Sequence, residues 1–275
     1  MAIDPTARVA AGARIAEDVE IGPYCLIGPQ VELQRGVRLI ANVHVTGATT
    51  IGEATVVYPF SSLGTPPQSV HYRGGPTRLV IGARCELRES VTMNTGTEDG
   101  GGVTRVGERC LFMVGSHVGH DCQVGDEVTL ANTVVLGGHV RVDDHTFLGG
   151  HVAVHQFVRI GESAMMAGMS AARDDIIPFG FALGQTGALV GLNTVGLRRR
   201  GATRAEMHRL RSAYRDLFFV EGRLADRVEA VARKFAGDPL VEKIVAFIRA
   251  GGKRPLMRPR RVLRQGDENG DHAIG

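Results

Sequence analysis

The 275-residue chain contains no tryptophan, and aromatic residues make up only 5% of it. Large rings anchor most sandwich and α/β cores, so their scarcity counts against an ordinary core of either kind. No apolar run approaches the roughly 20 residues that a membrane span needs. The opening Met1-Ala2-Ile3-Asp4 lacks the basic-then-apolar layout of a signal peptide, and the expectation is a soluble, cytoplasmic protein without membrane insertion. Net charge is only +3, with basic clusters confined to Arg198-Arg199-Arg200 and to Lys253 through Arg264, so no nucleic-acid partner is expected. Cys25, Cys85, Cys110 and Cys122 form neither a CxxC pair nor a zinc-ligand spacing.

Glycine, by contrast, is abundant at 37 residues, and the chain has a period. An aliphatic residue recurs at every sixth position from Ile3 through Ile27 and Ile51 to Leu63. The frame breaks between Gly64 and Arg78, resumes at Ile81, Leu87 and Met93, and breaks again at Gly100-Gly101-Gly102. It then runs without interruption from Val106 to Met166. A period of six is foreign to a helix of about 3.6 residues per turn and suits short strands joined by turns around a continuous prism. Stacked coils then pair every backbone group with the coil above and below at about 4.8 Å. The fold class predicted is mostly β, a left-handed parallel β-helix of hexapeptide repeats carrying a small α-helical domain.

Each cysteine falls four residues after a leading aliphatic position, namely Ile21, Ile81, Val106 and Val118, which makes all of them small core fillers. Burial among apolar neighbours raises a thiol's pKa, so a reactive cysteine is not expected. Glycine directly after the aliphatic position, as in Ile21-Gly22, Ile51-Gly52 and Ile160-Gly161, is read as supplying the dihedral freedom of a corner.

After Asn193 the period becomes helical. Thr203-Arg204-Ala205-Glu206 reads as a capping box ahead of Met207, Leu210, Tyr214 and Leu217. Leu224, Val228 and Val231 form a second apolar stripe, and Val241, Ile244 and Ile248 a third. The expected organisation is a β-helix over 1–192 with loop insertions near 64–80 and 97–104, a helical domain over 193–250, and a loose tail over 251–275. The first insertion gathers Gln68, His71, Tyr72 and Arg73 behind the stiff Pro66-Pro67 and is read as a binding lid.

His117, His120, His139, His145, His151 and His155 crowd one stretch of the repeat. If three hexads make a coil, residues about 18 apart share an edge, and His120, His139 and His155 are expected in one vertical row. Gly138 and Gln156 join that row, His117 lies one corner step before it, and His145 and His151 fall off it as structural or solvated rings. Imidazoles beside a bare backbone N–H suit acyl transfer, which needs a base to deprotonate the nucleophile and a donor aimed at the tetrahedral oxyanion. Asp121 could orient His120, although adjacent residues on a strand point to opposite faces.

The segments Ser116-His117-Val118-Gly119-His120-Asp121-Cys122, Leu136-Gly137-Gly138-His139-Val140, Ala153-Val154-His155-Gln156-Phe157 and Gly196-Leu197-Arg198-Arg199-Arg200-Gly201 carry a family resemblance. The chain resembles the acyl carrier protein:UDP-N-acetylglucosamine acyltransferases of lipid A synthesis, over nearly its whole length short of the tail. The resemblance implies transfer of a fatty acyl group, often 3-hydroxylated, from acyl carrier protein to the 3-position of UDP-N-acetylglucosamine. It further implies a homotrimer with the site between subunits, no metal, no other cofactor and no acyl-enzyme.

Carried across, His120 is the general base, Asp121 its partner, and the Gly138 N–H the oxyanion donor. His117, His139, His155 and Gln156 line the sugar and acyl pocket, with Gln68 reaching in from the first loop. Asn193 and Arg200 hold the uridine diphosphate, and Arg199 helps dock the carrier protein or its pantetheine. Gly168 sits where the family measures acyl length, and its missing side chain leaves room for a longer chain. Ser69, His71, Asn94 and Val195 depart from the family pattern, which raises N-acylation of a 3-amino sugar as an alternative. Two rivals from other classes share the repeat: a trimeric zinc enzyme of the carbonic anhydrase type, which needs three convergent imidazoles, and a scaffold without turnover.

Overall fold

The structure is a computed structural model, and it describes residues 2–259. Two-residue strands such as Ala2–Ile3, Arg8–Val9 and Arg14–Ile15 follow one another around a prism. They assemble into three sheets of 11, 9 and 8 strands, and together these form a left-handed parallel β-helix. Register is strict: Val56 and Val57 pair with Glu86 and Leu87, and His117 and Val118 with Val135 and Leu136. The second residue of each pair points inward, so Ile21, Leu39, Val57, Leu87, Phe112 and Leu130 stack as one buried column. Burial of that continuous column, at roughly 25 cal/mol per Å² of apolar surface, is the main term holding coils together.

All four cysteines are buried, 0 to 2% exposed, as small interior residues. Burial pushes the Cys122 thiol up to about 12 and raises Cys25 as well. Cys85 goes the other way, lowered chiefly by a hydrogen bond from the neighbouring Cys110 thiol.

Corner glycines have a different cause from the one the repeat suggested. Gly22, Gly52 and Gly161 do not adopt a left-handed backbone; a Cβ on any of them would collide with the backbone of the next coil. The left-handed corner position falls two residues later and takes many residue types, including Tyr24, Asn42, Phe60, Glu127 and His145. Stacking repays the local strain, which for a non-glycine residue is of order 1–2 kcal/mol.

The prism ends in Gly180–Leu183, which pairs with Met165–Met166 and folds back antiparallel onto Ala188–Leu192. Four helices follow: α1 Thr194–Arg199, α2 Arg204–Phe218, α3 Leu224–Lys234 and α4 Pro239–Arg249. The Thr203–Glu206 capping box is formed in full at the start of α2. Leu210, Leu217, Val231 and Ile244 bury the inner helical faces. Residues 251–259 are not a loose tail. Asp175 N–H donates to Pro255 O and Met257 N–H to Asp175 O, both at 2.8 Å, and Met257 is 2% exposed. The rest of the expected tail, 260–275, lies outside the described residues.

Candidate active site

The corner after the strand His117–Val118 carries the candidate acid–base groups. There the chain turns at Gly119-His120-Asp121, with Asp121 in the left-handed corner conformation, so the alternation of a strand no longer applies. Both side chains swing to the same edge, and Asp121 Oδ2 sits 2.8 Å from His120 Nδ1. The Asp121 side chain is 1% exposed and that of His120 16%. Thr97 holds the carboxylate from the other side, donating its N–H to Asp121 Oδ1 at 2.9 Å and its hydroxyl to Oδ2 at 2.6 Å. With Nδ1–H directed at the carboxylate, His120 Nε2 is left as the free, basic nitrogen.

The three-imidazole row does not form as the spacing implied. Strand pairing puts Gly119, Gly137 and His155 in one column, His120, Gly138 and Gln156 in the next, and Asp121, His139 and Phe157 in a third. Offsets of 19 and 16 residues therefore shift each ring to a different column of one corner. His120, Gly138, His155, Gln156, His117 and Gln68 line a single groove of about 410 Å³, together with Asn94. His139 turns to a neighbouring cavity with Phe157, Arg159 and Lys253. Its ring stacks on Phe157 at 4.5 Å and meets His120 edge to face at 5.0 Å.

Gly138 leaves room for the ring, because a Cβ there would lie 2.5 Å from His120 Nε2. Its N–H has no backbone partner among the described residues. Below it, the outward stripe Thr92, His117, Val135, Ala153 and Ala171 becomes apolar along the coil axis. His117 Nδ1 is 2.8 Å from Thr92 Oγ1. Burial, then the nearby His120, lowers the His117 pKa. Burial also lowers that of His139, against the opposing pull of Asp121.

Other expected residues lie elsewhere on the chain. Gly168 stacks beside Gly150 on a different corner. Asn193 caps α1, accepting from Gly196 N and donating to Ser163 O, each at 2.9 Å. Arg199 and Arg200 are exposed at the end of α1. At the end of the strand Thr92–Asn94, Asn94 clasps Thr65 and Pro66 at the start of the first loop through its amide nitrogen. Outside the groove, His145 pairs with Glu127 at 3.0 Å and His151 with Thr133 at 2.6 Å.

Several contributors carried no signal in the hexapeptide frame. Thr97 and Glu98 sit in the second break; Glu98 Oε1 accepts from Gly75 N at 2.6 Å and so ties that loop to the first. Phe157, Lys253 and Arg254 surround the corner from the repeat and from 251–259. The ligand atoms of His120, Asp121 and His139 lie within 4.8 Å of one another and form the candidate metal group among the described residues. They offer two imidazoles where the zinc rival needs three, and Asp121 Oδ2 is already engaged by His120 and the Thr97 hydroxyl.

A β-helix corner that holds an aspartate-oriented histidine over an open groove defines a hexapeptide-repeat acyltransferase. A family model described as UDP N-acetylglucosamine O-acyltransferase, domain 2, matches residues 175–257. A protein of Azorhizobium caulinodans named acyl-(acyl-carrier-protein)-UDP-N-acetylglucosamine O-acyltransferase is 58% identical over 96% of this chain and 98% of its own. A Caulobacter vibrioides protein of the same name is 50% identical over 96% and 100%. The structure of LpxA from Acinetobacter baumannii matches with a TM-score of 0.91 at 33% identity, covering 93% of this chain and 99% of that one. The chain belongs to the acyl-(acyl-carrier-protein)-UDP-N-acetylglucosamine O-acyltransferase family.

Proposed function

We propose that this protein transfers a fatty acyl group from acyl carrier protein to the 3-hydroxyl of UDP-N-acetylglucosamine, the first step of lipid A synthesis. The observation that carries this reading is His120, held by Asp121 and lining one groove with Gly138. His120 Nε2 removes the proton of the sugar hydroxyl as its oxygen attacks the thioester carbonyl. The tetrahedral oxyanion accepts the Gly138 N–H. Collapse breaks the carbon–sulfur bond, and the pantetheine thiolate takes the proton from His120. The protein and its two substrates supply every atom of this sequence, and we propose no resident metal or cofactor. Asp121 stabilises the imidazolium in between, and the hydrophobic stripe of Val135, Ala153 and Ala171 offers an acyl lane.

Gly168, Asn193, Arg199 and Arg200 stand apart from the groove in one protomer. A cytoplasmic homotrimer in which a neighbouring subunit brings them to the groove accounts for all the expected residues. No helix among the described residues is long and apolar enough to cross a membrane. The relatives compared are named O-acyltransferases, which favours the ester over the amide reading. Mass spectra of products from UDP-N-acetylglucosamine and a panel of acyl carrier protein thioesters test the proposal. An alkali-labile 3-O-acyl product is expected; acylation confined to the 3-amino analogue would overturn it.

A further inference from the structure

Residues 251–259 run back from α4 across the histidine corner and are fixed there through both backbone bonds to Asp175. They carry two cations onto consecutive residues of the corner. Lys253 Nζ lies 4.2 Å above the Phe157 ring. Arg254 reaches one residue further: its Nη2 is 2.6 Å from His155 Nδ1, and its Nε donates to Gln156 O at 3.0 Å.

A guanidinium offers only N–H donors and stays charged, so the nitrogen it meets must be the acceptor. His155 therefore carries its proton on Nε2 in this arrangement. Gln156 O stands 3.2 Å from the same Nδ1 and would favour the opposite tautomer, with Nδ1–H donating to the carbonyl. Arg254 opposes that form, because its Nη2–H and an Nδ1–H cannot both occupy the 2.6 Å contact, and its Nε also donates to the same carbonyl. One side chain thus controls both possible partners of Nδ1.

We propose that Arg254 is a positioning residue for the acyl transfer: it locks His155 in the Nε2–H tautomer, so that the ring presents a donor to the groove shared with His120 and Gly138. The kinetic half of this inference rests on the acyltransferase reading above; the tautomer half does not. His155 is exposed on this chain, and losing the orientation of one hydrogen-bond donor there corresponds to a factor of up to about ten in rate.

The test uses the full chain labelled with ¹⁵N, and two-bond proton–nitrogen spectra of its histidine rings, with His155→Asn to assign the signal. The wild-type ring is expected as Nε2–H, Arg254→Lys to keep that form, and Arg254→Gln to move it toward Nδ1–H. In parallel, kcat/KM for acyl transfer is expected to fall about tenfold in Arg254→Gln. In a His155→Asn background the same change should matter by less than about twofold. An Nδ1–H signal in the wild type, an unchanged tautomer in Arg254→Gln, or losses that simply add would overturn the lock. Absence of product from the wild type would sink the acyltransferase reading instead, while the spectra still decide the tautomer.

Discussion

A Cβ placed on Gly138 would stand 2.5 Å from both Cε1 and Nε2 of His120. The His120 ring occupies the space a side chain on this glycine would fill, and the glycine's backbone is not in the left-handed region. Gly138→Ala therefore disturbs the base and screens the N–H without straining the chain. It is expected to lower kcat by roughly 100-fold, the scale of one lost oxyanion donor, with little change in melting temperature. Steady-state rates alongside a thermal melt check both halves.

Thr97 binds Asp121 through its amide and its hydroxyl and is 6% exposed. Thr97→Val keeps the shape and the amide contact but deletes the 2.6 Å hydroxyl bond. The carboxylate then holds His120 less firmly. A fall in kcat of about tenfold is expected, with KM nearly unchanged, because the effect passes through the base and not through binding. A variant with wild-type kcat would show that the hydroxyl has no part in orienting the pair.

The pH dependence of stability has a definite sign at His117. Burial, with the charge of His120 next, lowers its pKa below the ordinary 6.5. Just below that ordinary value the unfolded chain takes up a proton that the folded one refuses. Stability is therefore whole above about pH 6.5 and is lost as pH falls toward the depressed folded value. His139 shifts in the same direction, chiefly through burial. Melting midpoints from about pH 7 down to pH 5 should fall, and His117→Gln should flatten the slope.

Arg159 joins three parts of the molecule. It pairs with the buried Asp175 at 2.7 Å, covers the Phe247 ring at 4.3 Å, and donates to Phe247 O in α4 at 3.3 Å. Arg159→Ala leaves the Asp175 carboxylate buried without its cation. A loss of about 3 kcal/mol is expected in urea unfolding, within the range for orphaning one member of a buried pair.

The β-helix was legible because its physics is one-dimensional: an inward aliphatic residue every sixth position leaves a trace that survives any surface sequence. The same trace exposed the cysteines as interior residues. What it could not give was the exact column of each corner residue. His120, His139 and His155 are spaced close enough to a coil to look aligned, yet one residue of offset turns His139 into the neighbouring cavity. The pairing of His120 with Asp121 also escaped strand logic, since it depends on a left-handed corner at Asp121 that no residue preference announces. Lys253 and Arg254 read as part of a polar, proline-bearing tail, because contacts across about 100 residues of sequence leave no local signature.

The most direct test of the whole account is the rate of acyl transfer by His120→Ala, measured on protein shown by circular dichroism to keep its β-helix. General-base catalysis contributes a factor of about 100 to 10,000, so a loss on the order of 1,000-fold is expected. A variant that kept its rate to within about tenfold would show that some other group takes the proton, and that the corner built around Asp121, Gly138 and Thr97 serves a different end.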